Sequence, residues 1–132
     1  MKIIAEIGLN HCGSVQRGID LVNNLIHTSI DGITFQIREK EFYDKSHPRK
    51  VELPMQFYND IAQKIDKGGK DFGLSISNIK KIRDFNKIGI KFWKTLSWDI
   101  TNRSLQNELQ KTNKKVFVST GISGIDEIID NT

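Results

Sequence analysis

The stretch Lys91-Phe-Trp-Lys-Thr-Leu-Ser-Trp-Asp-Ile-Thr-Asn102 is followed, after enough residues for one helix, by Val116-Phe-Val-Ser-Thr-Gly121. Lys94, Ser97, Asp99 and Ser119 therefore stand at or just past the ends of two apolar, strand-like segments. In parallel α/β proteins ligands sit at strand C-termini and in the loops beyond them. A cation beside several hydroxyls suits an anion such as a phosphorylated substrate. A lysine within an apolar strand must also snorkel to water or meet an anion. Glu6 poses the converse problem in the apolar run Lys2–Gly8. A carboxylate there costs several kcal/mol unless it is paired or metal-linked, which marks it as a candidate for chemistry. Gln36 and Ser75 are polar residues in two further apolar segments. No side chain is an evident covalent nucleophile, since Cys12 falls in a turn. His11 beside it reads either as a hydrogen-bonded turn residue or as a functional group.

The elements that must position these residues alternate along the chain. Lys2–Gly8 is a first strand, and Ser14 caps a helix carrying Val15, Ile19, Val22 and Ile26 on one face. Gly32–Ile37 is a second strand. Arg38–Leu53, polar and interrupted by Pro48, is a long excursion of the kind that often carries function. Pro54 suits the first turn of a helix with Phe57, Tyr58, Ile61, Ala62 and Ile65 inward, ended by Lys67-Gly68-Gly69. Phe72–Ile76 is a third strand, and Ser77 or Asn78 caps a helix through Ile79, Ile82 and Phe85. Ile90–Thr95, a short helix with Leu105 and Leu109, and Val116–Ser119 complete two more units. Ser123-Gly-Ile-Asp126 then resembles a capping signal opening a last helix with Ile125, Ile128 and Ile129. Five strand–helix units fit either a flavodoxin-like domain or the first part of an eight-unit barrel, which needs roughly 250 residues. Periodicity alone leaves both open.

The 132 residues suit one domain. A hydrophobic content of 37% with 27% charged residues is that of a globular protein without a membrane span. The first strand leaves no room for a signal peptide. The single Cys12 points to a reducing cytoplasm. The net charge of +4 is dispersed among 16 acids and forms no basic stripe with aromatics, which argues against nucleic acid as a partner.

Four segments together carry a family resemblance. Ala5-Glu-Ile-Gly-Leu-Asn-His-Cys-Gly13 resembles the Ala-Glu-Ile-Gly-x-Asn-His-x-Gly opening of the sialic acid synthase family. Ile33-Thr-Phe-Gln36 is similar to its second-strand Lys-x-Gln segment. Lys94-Thr-Leu-Ser-Trp-Asp-Ile-Thr-Asn102 resembles its Lys-Ile-x-Ser-Gly-Glu-x-x-Asn stretch, and Val118-Ser-Thr-Gly-Ile122 its Leu-Ser-Thr-Gly-Met. The order and intervals agree across the chain. The resemblance implies a partial (β/α) barrel spanning residues 1–132, about five parallel units long, with the barrel's C-terminal half and an appended antifreeze-like domain absent.

The implied activity is that of an N-acetylneuraminate synthase-type transferase. It condenses phosphoenolpyruvate with N-acetylmannosamine or a related amino sugar to make nonulosonic acids, with a divalent metal, manganese or magnesium, and as a homodimer when full-length. By resemblance Lys94 binds phosphoenolpyruvate with Ser97 and Ser119, and Glu6 works near the metal and the reacting carbons. Gln36 and Asp99 face the sugar. Ser75 falls where the family has a threonine. The metal-binding histidines lie beyond this chain, so the 132 residues alone are expected to be inactive. Thr34 replaces a second family lysine. That loss costs ~1.5–3 kcal/mol, or about ten- to a hundred-fold in affinity, and makes an inactive sugar- or phosphate-binding relative the main alternative. Trp93 and Trp98 are expected to pack.

Overall fold

Alternation decides which way each strand faces. In β2 (Gly32–Ile37), Ile33, Phe35 and Ile37 are buried against helices, which turns Thr34 and Gln36 to the opposite face. The computed structural model describes residues 1–45 and 52–131; Pro48 of the expected excursion lies outside them. The other strands are β1 (Ile4–Gly8), β3 (Asp71–Ile76), β4 (Phe92–Lys94) and β5 (Lys115–Phe117). All pair in parallel in the order β1-β2-β3-β4-β5. This sequential order excludes the flavodoxin-like alternative, whose first strand lies inside the sheet.

The sheet is curved. A cavity is lined jointly by Ile4 of β1 and Phe117 of β5. Four strand spacings would hold them roughly 19 Å apart in a flat sheet. The concave face carries the polar residues, and the convex face carries the core.

Three long helices cover the convex face: α1 (Val15–Ile26), α3 (Met55–Lys67) and α5 (Arg103–Gln110). Phe35 is the hub beneath them, meeting Phe57, Tyr58 and Phe72 edge-on at centroid distances of 5.4, 6.0 and 6.3 Å. Ser14 caps α1 as expected, its Oγ accepting from the Arg17 N–H at 3.2 Å.

Several boundaries differ from the sequence reading. Pro54 is the N-cap of α3 rather than part of its first turn. The excursion after β2 contains a short helix, α2 (Lys40–Asp44). Asn78, not Ser77, caps the segment after β3. That segment opens as a 3₁₀ turn (Ile79–Lys81) before α4 (Ile82–Phe85). In the capping of α6 (Ile125–Asn131), Glu127 accepts from the Gly124 N–H at 3.1 Å, and the Ser123 hydroxyl takes no part. Trp93 packs as expected, fully buried with its indole N–H donating to Thr112 Oγ1 at 2.9 Å. Trp98 does not pack: it is 52% exposed.

Candidate functional site

Strand register sets the site in layers. Gln36 pairs with Ser75 and Ser75 with Lys94, so these three residues form one row across β2, β3 and β4. Glu6, Thr34, Gly73 and Phe92 form the row below. The floor is Phe92. A Cβ on Gly73 would lie 2.2 Å from a carbon of its ring, so the ring occupies the space a side chain on Gly73 would need. Phe117 closes the floor edge-on at 5.3 Å.

Above this floor Lys94 turns inward and meets Glu6, Nζ to Oε2 at 3.3 Å. Ser75 Oγ donates to the same carboxylate oxygen at 2.9 Å. The pairing of β1 shifts between Glu6 and Gly8, an irregularity that re-aims neighbouring side chains. Glu6 Oε1 and Gln36 Oε1 both lie beside Gly8, at 3.5 and 3.8 Å from where its Cβ would be, and the φ of +57° there favours glycine. Glu6, Gln36, Ser75 and Lys94 thus converge. With Ile4, Thr34, Phe92 and Phe117, Glu6 and Lys94 line a cavity of about 180 Å³. The Thr34 hydroxyl is buried and has no hydrogen-bond partner among the described residues.

The other expected residues stand at the mouth. Ser97 faces the loop after β5, its Oγ 3.2 Å from where a Gly121 Cβ would be. The Ser119 N–H donates to the buried Thr95 Oγ1 at 3.4 Å, tying the two loops together. Among the described residues no hydrogen bond joins Ser97 or Ser119 to the Glu6–Lys94 pair. Asp99 is turned into the protein, where the Asn102 amide donates to it at 3.2 Å. Burial pushes its carboxyl up, against the opposing influence of Asn102 and Ser77. His11 is buried, and its Nδ1 accepts the Gly13 N–H at 3.0 Å, the turn-residue arrangement. Exposed Cys12 holds φ +50° in the same turn.

Arg38 was not among the expected residues. It follows Thr34 and Gln36 at the same spacing of two, which was the available signal. Its guanidinium carbon lies 3.9 Å from the Phe42 ring centre and 4.9 Å from that of Trp98, and Nε donates to Glu39 at 2.9 Å.

The divalent metal implied by the resemblance does not fit the described residues. No three His, Cys, Asp or Glu side chains among them converge, and Glu6 already faces a lysine. No helix among them is long and apolar enough to cross a membrane.

Residues 21–131 match the family model of the NeuB family. The chain belongs to the NeuB family. It is 31% identical over 134 residues to an uncharacterized protein of Methanocaldococcus jannaschii, covering 96% of this chain and 39% of that protein. It is 26% identical over 146 residues to the N,N'-diacetyllegionaminic acid synthase of Campylobacter jejuni, covering 96% and 44%. The fold is also that of the N-acetylneuraminic acid (sialic acid) synthetase of Leptospira borgpetersenii, solved with citrate. The TM-score is 0.87 at 22% identity, over 98% of this chain and 47% of that one. The chain thus spans less than half the length of these relatives.

Proposed function

We propose that this NeuB family chain contributes the substrate-binding strands of a phosphoenolpyruvate-dependent condensing synthase acting on an N-acetylated amino sugar. The observation that carries the reading is the row Gln36–Ser75–Lys94 facing Glu6 on the concave face. The names of the Campylobacter and Leptospira relatives support a nonulosonic acid as product.

In such a reaction C3 of phosphoenolpyruvate attacks the aldehyde carbon of the open-chain sugar. One C–C bond forms and the aldehyde oxygen gains a proton. Water then adds at C2 and inorganic phosphate leaves. Phosphoenolpyruvate, aldehyde and water become the nonulosonic acid and phosphate. Lys94 holds the anion in place, a positional and electrostatic contribution. As the anion takes over Lys94, Glu6 is left on Ser75 beside the reacting carbons, where its carboxylate is available for proton transfer.

A binding-only relative is the second reading, favoured by Thr34 in place of a cation and by the engagement of Lys94 with Glu6. Phosphate release by the protein carrying this chain, with phosphoenolpyruvate and a panel of N-acetylated amino sugars, separates the two. The synthase reading requires release that depends on both substrates. Binding of phosphoenolpyruvate without release supports the second reading, and neither binding nor release contradicts both.

A further inference from the structure

The inner cluster is electrically balanced, because the charge of Lys94 is met by Glu6. Thr34, on the row below, offers a hydroxyl and no charge. In the cavity that Glu6 and Lys94 line, a polyanionic substrate therefore finds one cation, already paired. Arg38, the first residue past β2, follows Gln36 by two positions, roughly 6.6 Å further if the strand direction continues. The Ser77 N–H bonds to Ile37 O at 3.1 Å and the Asn78 amide donates to Arg38 O at 3.3 Å, so the end of β3 holds the Arg38 backbone. The guanidinium reaches over that end to Trp98, which follows β4 by four residues from Lys94. Arg38 thus reaches from the end of β2 to the turn after β4.

We infer that Arg38 is the second cationic contact for the anionic substrate, supplying from the mouth the charge that Thr34 does not supply from the floor. The inference rests on the phosphoenolpyruvate reading above. Its side chain is only 14% exposed, unlike a freely solvated surface arginine. Contact with the Phe42 and Trp98 rings pre-orients the planar fork. Nε is ion-paired with Glu39, as Lys94 is with Glu6, while neither terminal nitrogen has a hydrogen-bond acceptor among the described residues. Such a fork suits a carboxylate or phosphate, which accept two parallel N–H bonds. It also gives exposed Trp98 a role, as a wall that fixes the arginine.

The test is titration of the protein that carries this chain with phosphoenolpyruvate by isothermal calorimetry. The native protein is compared with Arg38→Met, Arg38→Lys, Glu39→Gln and Lys94→Met, each checked by thermal unfolding. We expect Arg38→Met to weaken binding about ten-fold or more, since a charge-assisted contact is lost. Arg38→Lys should recover part of that loss, and Glu39→Gln should tighten binding by removing the carboxylate charge that Arg38 faces. If Arg38→Met fails to fold, the Arg38→Lys and Glu39→Gln pair still decides. A structural Arg38 would give unchanged affinity in both variants. Unchanged binding in the Arg38 and Glu39 variants alongside weak binding by Lys94→Met would overturn the inference and leave the substrate site intact. No binding by the native protein would overturn both.

Discussion

Lys94 of β4 and Glu6 of β1 meet at 3.3 Å although two strands lie between them in the sheet. Side chains stand roughly perpendicular to their strands, so their tips touch only because the sheet curls. The pair is partly exposed, at 34% and 38%, so its own contribution to stability is small. On the proposed function, an anion bound at Lys94 would draw it away from Glu6.

Removing that competitor should have opposite effects on binding and on chemistry. Glu6→Gln is expected to tighten phosphoenolpyruvate several-fold, because Lys94 no longer faces a carboxylate. The same change should abolish condensation in the protein that carries this chain. Calorimetry and phosphate release check the two halves separately. Weaker binding by Glu6→Gln would argue that Glu6 positions Lys94 rather than competing for it.

Gly73 makes a claim about the floor. Alanine there drives a methyl group into the buried Phe92 ring, which must move toward the cavities it lines. Overpacking of this kind costs about 1–3 kcal/mol. Gly73→Ala should lose that much in urea unfolding, and Phe92→Leu should restore part of it in the double variant. Additive losses would mean that the ring is not what excludes the methyl.

Burial holds the His11 imidazole below its ordinary value of 6.5. The unfolded chain therefore takes up a proton near that pH while the folded chain resists it. The stability contributed by neutral His11 is complete above 6.5 and is lost as pH falls through that value toward the folded pKa. Urea unfolding from about pH 7.5 to about pH 5 should show this slope in the native chain. It should be reduced in His11→Asn, and parallel curves would contradict the account.

The strand faces were legible because Ile33, Phe35 and Ile37, or Phe72, Leu74 and Ile76, alternate with small or polar residues. Once the faces were known, Glu6, Gln36 and Lys94 pointed inward by period alone. What did not show was the sharing of Glu6 by Ser75 and Lys94, since register and curvature arise from pairing between distant segments. Trp98 was misjudged because composition predicts burial for an indole, whereas a turn after β4 leaves it at the mouth. Arg38 was hidden in an expected loop. Its inward direction depends on the β2 alternation continuing one residue beyond the strand. Ser77 lost the cap to Asn78, whose amide oxygen reaches the Lys80 N–H at 3.2 Å. Both residue types cap helices, and only the backbone path after Ile76 chooses between them.

The most direct test is a crystal structure of the chain with phosphoenolpyruvate bound. The account predicts a phosphate or carboxylate oxygen about 3 Å from Lys94 Nζ, with Gln36 and Ser75 alongside and Lys94 drawn off Glu6. A second group of lysines, Lys2, Lys91 and Lys115, lines a cavity at the opposite end of the strands with Asp31 and Asp71. Phosphoenolpyruvate held there, with Lys94 still paired to Glu6, would contradict the central claim.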